Sequence, residues 1–306
     1  MAEFIIKRVL SSIITLFVII TVTFFLMHSV PGGPFATNEK LSKGVIAAME
    51  KKYGLDKPLF EQYGKYLLNV AHFDLGLSIA SKEGKTVNDI IAQKFPISAG
   101  VGGLSILVSL ILGLSMGCIA ALNHEKLVDK GVMFISTLGI AVPGFIMGML
   151  LLLLFGVELR WLGFIGLDKP SDYILPTFTL AFYPACFIAR LVRSSLLDVL
   201  GQDYIRTARA KGLPPRKVLI KHAMRNAMLP VVTYLGPLLA YVLVGSFVVE
   251  RIFSIPGLGQ FFVDSITSRD YPLIMGTTIF LAALIIFMNL LVDIAYSIID
   301  PRIKLK

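Results

Sequence analysis

Two short motifs in this 306-residue chain have the residue types of known chemical sites. Gly84-Lys85-Thr86 could end a phosphate-binding loop, but that loop needs a glycine five residues before Gly84, where the sequence has Ile79. His124-Glu125 could begin a zinc-peptidase helix, but its second histidine would fall at Val128. Because neither motif is complete, we predict that the chain is not an enzyme.

The metal-binding residue types are scattered along the chain. The four histidines have none of the spacings of a zinc site. The two cysteines are too few for a disulfide scaffold, and both Cys118 and Cys186 lie within apolar runs. We therefore predict that the chain itself binds no metal ion and no cofactor.

A few polar residues lie inside apolar runs, where such residues usually face a bundle interior or a cavity. Asp293 is an acid clearly inside a run, and Asn289 lies one turn earlier on the same helix face. Asp293 is either an inner-leaflet carboxylate, paired with a cation of the inner loop or reaching water, or a proton or substrate site. Tyr234, Tyr241 and Ser246 are further candidates for lining a translocation pathway.

A basic segment between two apolar runs has the pattern of an ordered surface element. Asp203 is suited to cap a short helix over Tyr204–Lys211, which Gly212 ends. Pro214 and Pro215 are suited to open the next helix. A solvated loop would not need this much order, so we predict a helix, a turn and a helix that dock a cytoplasmic partner. The predicted apolar row of this element is Leu200, Tyr204 and Ala208.

The elements that position these residues are predicted to be membrane spans. The chain is 56% hydrophobic and 16% charged, whereas soluble chains are about 25% charged. A bilayer core requires about 20 apolar residues as helix. Six charge-free runs are candidates: Val9–Val30, Pro96–Asn123, Gly131–Val157, Tyr173–Ala189, Asn226–Val249 and Tyr271–Val292. We predict an all-α integral membrane protein with six transmembrane helices.

Small residues and prolines indicate how these helices pack. The second run has a face of small residues, which allows close helix packing; its members are Gly102, Gly103, Ser109, Gly113, Gly117 and Ala121. Prolines break the hydrogen-bond ladder in the third to fifth runs, either as ordinary kinks or as hinges around a pathway. These prolines are Pro143, Pro184, Pro230 and Pro237.

Lysine and arginine residues orient the chain. With the N-terminus inside, they concentrate on the inner side, above all in the loop 191–225, as the positive-inside rule requires. An even number of spans then places both termini in the cytoplasm. The net charge of +9 is thereby explained by topology, so nucleic-acid binding is not needed.

The predicted organisation has three parts. Residues 1–30 form the N-terminal tail and first span, and residues 31–95 form an extracytoplasmic segment. Within that segment we predict helices over Leu41–Tyr53 and Leu59–Phe73. The core, 96–306, contains spans at 96–123, 131–157, 173–190, 226–249 and 271–299, the inner loop at 191–225 and an outer interfacial segment at 250–270.

The inner loop resembles a motif of the permease subunits of binding-protein-dependent ABC importers. The family pattern is Glu-Ala-Ala, three residues, then Gly; Ala208 and Gly212 match its second Ala and its Gly, and Arg206 and Thr207 replace its Glu and first Ala. The chain is most similar to the first permease subunit of the dipeptide, oligopeptide and nickel group. The stretches that carry this similarity are Tyr53–Leu59, Asp74–Ser78, Ile255–Gly259, Arg269–Pro272 and Ile299–Arg302, with Val30–Phe35 resembling oligopeptide permeases of Gram-positive type.

This resemblance implies the type I ABC importer permease fold in a bacterial cell membrane. A second, homologous permease would complete one pathway, and an extracytoplasmic binding protein would deliver peptide to the segment 31–95 and to Ile252–Thr267. Two cytoplasmic ATPases would bind ATP and Mg²⁺, dock on the inner loops and drive alternating access. The implied ATPase-docking residues are Asp203, Tyr204, Arg206, Thr207, Ala208, Arg209, Ala210, Lys211, Gly212 and Leu213.

Two other classes remain open from the residues alone. A secondary transporter or channel that works alone would have internal repeats and an ion site at the midplane, whereas the sequence shows no convincing repeat and only the off-centre Asp293. A membrane scaffold or receptor would recruit a signalling protein through the inner loop and would carry no substrate. The cargo is not specified, because peptides, nickel complexes and other small solutes share this scaffold.

Overall fold

The computed structural model describes residues 2–31, 33–34, 44, 49, 51, 54–81, 84–243 and 246–299. Most of them are helical. In chain order the helices are α1 (Ala2–Ser29), α2 (Leu59–Ala71), α3 (Val87–Leu122), α4 (Leu127–Ala141), α5 (Gly144–Leu151), α6 (Ile174–Leu200), α7 (Asp203–Ala210), α8 (Pro215–Lys217), α9 (Met224–Ala227), α10 (Leu229–Leu243), α11 (Phe247–Ile252), α12 (Leu258–Thr267) and α13 (Tyr271–Ile299). The chain divides into two compact units, Ser98–Ile255 and the pair Met1–Ile97 with Pro256–Lys306.

The described residues of all six apolar runs are mostly helical, but the helices differ in whether they are long and apolar enough to cross a bilayer. Among the described residues, α1, α3, α6 and α13 contain spans of sufficient length and apolarity. The bent pair of α4 and the helix over Gly144–Glu158 makes a fifth if it is one span. α10 has 15 residues, fewer than the roughly 20 that a bilayer requires. The count of six spans and the cytoplasmic termini therefore stay predictions.

The third run is not the continuous helix that its length predicts. α4 ends at Ala141, and the chain resumes as α5 at Gly144 with a bend of 105° between the two helical segments. Val142 is extended, with φ −81° and ψ 122°. A residue before proline is pushed out of the helical region by the ring, so Pro143 explains the break. After α5 a π-helical turn covers Leu152–Glu158.

Two predicted boundaries also move. α3 begins at Val87, before the predicted start of the second span at 96, and α6 continues to Leu200 through residues assigned to the inner loop. Charges end an apolar run but need not end a helix, so helix and span have different limits. The predicted outer helix Leu59–Phe73 corresponds to α2, whereas most of Leu41–Tyr53 lies outside the described residues.

Two buried clusters lie among the described residues of the unit formed by both ends of the chain. Phe24 of α1 packs with Tyr271 and Met275 of α13, and Tyr63 and Tyr66 of α2 lie against this cluster. The other cluster joins the first turn of α3 to α12 and α13 through Val87, Ile90, Ile91, Leu258 and Leu273. The cluster around Phe24 holds α2 against the C-terminal part of α1.

The central unit is built on close contact between α3 and α6. A Cβ atom placed on Gly113 would lie 2.7 Å from Cβ of Ile188, and one placed on Gly117 would lie 2.6 Å from Cβ of Val192. Only glycine fits at such distances, so the predicted small-residue face is confirmed there. Gly103 differs, because its Cβ would meet nothing within 4 Å.

Candidate docking and translocation sites

The inner loop contains an ordered helix, α7, which packs against the C-terminal end of α6 in the central unit. Ile205 and Ala208 of α7 are 0% and 6% exposed, and they pack in one cluster with Leu196 of α6. The same cluster includes Val218, Ala223, Ala227 and Ala121. Burial of this face fixes α7 on the long helices, so a force applied to α7 is transmitted to α6.

The turn after α7 has the geometry predicted for it. Gly212 has φ +75°, a left-handed conformation that glycine adopts at little cost. The Gly212 amide donates to the Arg209 carbonyl at 2.9 Å, and the Leu213 amide donates to the Ala208 carbonyl at 3.4 Å. These two bonds are those of a Schellman cap. Pro215 then occupies the first position of α8, as predicted.

The outward side of α7 is polar and basic. Arg206, Thr207, Arg209 and Lys211 are exposed. Arg206 lies 3.5 Å from the carboxylate of Asp203, with both side chains largely in solvent. An exposed pair of this kind contributes little to stability, so these charges are free to exchange partners with a docked protein.

Two details of the predicted loop are wrong. The N-cap of α7 is Gln202, and Asp203 is its first helical residue, without a side-chain cap hydrogen bond at that helix. The buried row runs through Ile205 and Ala208, whereas Tyr204 is 42% exposed. The Tyr204 hydroxyl instead accepts a hydrogen bond from Asn226 Nδ2 at 2.8 Å. This bond ties the start of α7 to the segment before α10.

The structure brings three pathway candidates to one cavity of about 710 Å³ in the central unit. Tyr234, Tyr241 and Ser246 all line it, together with Tyr183 and Thr179. Pro143, at the break between α4 and α5, lines the same cavity, as do Pro184 and Pro237, which lie within α6 and α10. None of its described lining residues carries a charge. Their role in transport stays a prediction. Ser246 has a second role, because its hydroxyl caps α11 at the Val249 amide, 3.4 Å away.

The other two candidates belong to the other unit. Asp293 of α13 accepts a hydrogen bond from Arg8 Nε of α1. The Asp293 side chain is 16% exposed and that of Arg8 is 48% exposed. The predicted partner in the inner loop is therefore wrong, but the pairing still favours the interpretation of Asp293 as a paired carboxylate over that of a proton or substrate site. Asn289 is exposed on α13.

Sequence reasoning missed an ion pair at the inner end of the central unit. Arg193 of α6 donates from Nε and Nη2 to the two carboxylate oxygens of Asp129 of α4, at 2.5 and 2.7 Å. Asp129 also accepts from the Glu125 amide at 2.9 Å. These hydrogen bonds, with that from Arg193 the largest, hold the pKa of the Asp129 carboxyl well below its usual range. The only available signal was an acid in a short turn opposite the basic loop.

Three of the stretches that carry the family resemblance meet in the unit formed by both chain ends. The buried carboxylate of Asp270 accepts from the Ser78 hydroxyl and from the Ile79 and Ala80 amides at 3.2 and 3.1 Å. Arg269 donates to the carbonyls of Pro31 and Gly33 at 2.9 and 3.4 Å. The segment after α1 and the segment before α3 are therefore each hydrogen-bonded to the segment before α13.

Metal-binding residue types do not converge in the part of the chain that the structure describes. No group of three or more His, Cys, Asp or Glu side chains is placed there to hold a metal ion. The two sites that stand out are thus a neutral cavity and an exposed basic helix, which suit passage of a solute and docking of a protein.

A helical membrane protein with this cavity and this exposed basic helix has the features expected of a transport subunit. Sequence comparison agrees. The model of one family, described as binding-protein-dependent transport system inner membrane component, matches residues 113–305, and the model of its N-terminal part matches residues 1–102. The chain belongs to this family of inner-membrane permease subunits, which do not themselves hydrolyse ATP.

Curated relatives match over essentially the whole chain. The dipeptide transport system permease protein of Bacillus subtilis strain 168 is 47% identical over 305 residues, covering 100% of this chain and 99% of the relative. The oligopeptide transport system permease protein of Salmonella typhimurium strain LT2 is 42% identical over 306 residues, covering 99% and 100%. A chain of the MetNI methionine ABC transporter, in an inward-facing structure, has the same fold with a TM-score of 0.57 and 17% identity over 69% of this chain and 96% of that one.

Proposed function

We propose that this chain forms half of the translocation pathway of an ATP-driven peptide importer in a bacterial cell membrane. A second, homologous permease supplies the other half. Two ATPases, which hold ATP and Mg²⁺, dock on the loop 203–213 of this chain and on the equivalent loop of the second permease. An extracytoplasmic binding protein delivers the peptide.

The observation that carries the proposal is the construction of α7. One face of this helix is buried through Ile205 and Ala208, and the other presents Arg206 and Arg209 to solvent. A loop that served topology alone would not need a buried face or a closed cap at Gly212. A partner that binds the exposed face of α7 could move this helix. Because α7 packs against α6, and α6 lines the cavity, the movement would reach the cavity.

The cavity supports a peptide as cargo. Its tyrosine, threonine and serine hydroxyls can donate to and accept from peptide groups, which every peptide carries whatever its side chains. A lining without charges selects for neither acidic nor basic side chains. The named functions of the two relatives, dipeptide and oligopeptide transport, fall in the same substrate class.

The test is purification of the tagged chain from native membranes, followed by reconstitution with the proteins that accompany it. We expect a second permease and two phosphate-loop ATPases, and ATP-dependent peptide uptake in proteoliposomes once the binding protein is added. The double variant Arg206→Glu with Arg209→Glu should lose ATPase from the purified complex, because both side chains are exposed on α7.

The matched control is Lys126→Glu, an exposed charge reversal on the same predicted side but outside α7. This variant should retain the ATPase. Equal retention by the α7 double variant would refute the docking role of these arginines. A chain that purifies alone and supports uptake without ATP would overturn the importer itself in favour of a secondary transporter.

A further inference from the structure

The helix α2 has a wider apolar surface than its packing uses. Tyr63 and Tyr66 turn toward α1 and join the cluster around Phe24. Phe60 and Leu68 are about 80° apart around the helix at 3.6 residues per turn, and they bound a different sector of its surface from Tyr63 and Tyr66. Phe60 and Leu68 are 79% and 64% exposed. A third face is polar and consists of Glu61, Lys65 and Asn69.

Contacts with α1 show where α2 lies along the axis of that helix. The Tyr63 and Thr21 hydroxyls share a hydrogen bond of 2.7 Å. Thr21 lies eight residues before the end of α1 at Ser29, a distance of about 12 Å along the helix axis at the rise of an α-helix. The Tyr66 ring lies 5.5 Å from that of Phe24. α2 therefore lies beside the last turns of a membrane-spanning helix and not beyond its end.

The surface of α1 beside α2 indicates whether this part of the protein is surrounded by lipid or by water. Within the candidate span of α1, only 11% of the most apolar 18-residue stretch is buried inside the protein. Val22 and Leu26, which are 49% and 62% exposed, are at the same level as the α2 contacts. Apolar side chains on a span that the protein leaves uncovered face lipid. The exposed face of α2 is in the same layer.

From this arrangement we propose that α2 is an interfacial helix of the outer leaflet, with Phe60 and Leu68 against lipid acyl chains and Glu61 and Lys65 toward the head groups. Helices with one apolar and one charged face bind membranes in this way. Tyrosines such as Tyr63 are typical of the same level. The proposal rests on α1 crossing the membrane and is independent of the cargo.

Phe73, just after α2, extends the apolar surface. Its ring is 84% exposed although its backbone has φ +59°, which is unusual for a residue other than glycine. Two hydrogen bonds hold this conformation: Asn88 Nδ2 donates to the Phe73 carbonyl at 2.7 Å, and the Asp74 amide donates to the Asn69 carbonyl at 2.9 Å. The strained backbone thus directs an aromatic ring outward, where the bilayer interface would receive it.

The test is photocrosslinking in native membranes with the complex intact. The photoreactive residue p-benzoylphenylalanine replaces Phe60, Leu68 or Phe73 on the apolar face, and Lys65 or Asn69 on the polar face as matched controls. After irradiation the tagged chain is digested and analysed by mass spectrometry. We expect phospholipid adducts on the peptides from positions 60, 68 and 73, several-fold more abundant than those from positions 65 and 69.

The other occupants of this face would give different products. A main adduct to the binding protein or to the second permease at positions 60 and 68 would overturn the proposal and make α2 a protein interface. Lipid adducts of equal abundance at positions 60 and 65 would also overturn it, because the helix would then have no lipid-facing side. Neither result bears on uptake, so failure here is separate from failure of the importer assignment.

Discussion

The close contact of α3 with α6 at Gly117 gives the sharpest prediction. In Gly117→Ala the new methyl carbon would lie 2.6 Å from Cβ of Val192 and 2.7 Å from the carbonyl oxygen of Ala189. Val192 and Ala189 are both 0% exposed, so neither can move into solvent. Real Cβ contacts are longer, and α3 and α6 must therefore separate. The matched control is Gly103→Ala on the same helix, where the added carbon meets nothing within 4 Å.

The magnitude follows from comparing the two variants. Overpacking a close-packed interior costs about 1–3 kcal/mol. Replacing glycine by alanine inside a helix contributes up to about 1 kcal/mol in the opposite direction, and this gain is common to both variants. The difference between Gly117→Ala and Gly103→Ala thus isolates the helix–helix contact. We expect Gly117→Ala to be less stable than Gly103→Ala by about 1–3 kcal/mol.

The thiol of Cys186 reports this change within the intact complex. Cys186 lies on α6 and is 1% exposed, so a maleimide reacts with it only when the packing opens. At a tenfold change per 1.4 kcal/mol, the labelling rate of Gly117→Ala should exceed that of Gly103→Ala by about 5- to 150-fold. Mass spectrometry of the tagged chain measures the rate. Equal rates, or faster labelling of Gly103→Ala, would refute the close-packing argument.

Three further predictions concern the loop, the ion pair and the outer network. Gly212→Val should abolish peptide uptake without preventing membrane insertion, because a β-branched residue resists φ +75°; Gly212→Asn, which tolerates this conformation, should retain uptake. Asp129→Ala should lower stability by about 3 kcal/mol, the low end for a broken buried pair, since the Arg193 side chain is 25% exposed; adding Arg193→Leu should recover part of the loss in a thermal melt. Asp270→Asn presents an amide to the Ile79 and Ala80 donors, so limited proteolysis should cut near Ser78 faster than in wild type.

Local features of the fold were readable from the sequence. A run of apolar residues predicts a helix because backbone groups in lipid must be satisfied within the segment, and the described residues of all six runs are mostly helical. Gly212 and Pro215 act on their own backbone, so the turn between α7 and α8 followed from residue type alone. The glycines of the second run predicted contact, though not that Gly113 and Gly117 would meet α6.

Long-range partners could not be predicted in the same way. The bond of Asp129 to Arg193 and that of Asp270 to Ser78 depend on the path of the chain, which no local pattern encodes. The buried face of α7 was misassigned because an eight-residue helix has two turns, so rows that start at Tyr204 or at Ile205 fit the sequence about equally well. Tyr234, Tyr241 and Ser246 were candidates because they are polar residues within apolar runs. That they line one cavity follows only from the fold.

The hydrogen bonds of Arg269 and Asp270 have a consequence for biogenesis. A chain leaves the ribosome N-terminus first, so the segment that contains Pro31 and Ser78 is made long before residues 269 and 270. That segment lacks its donor and acceptor partners until Arg269 and Asp270 have been synthesised. In the predicted topology the segment is exported meanwhile, so nascent chains that stall before the C-terminal helix would display it, incomplete, to proteases outside the cytoplasm.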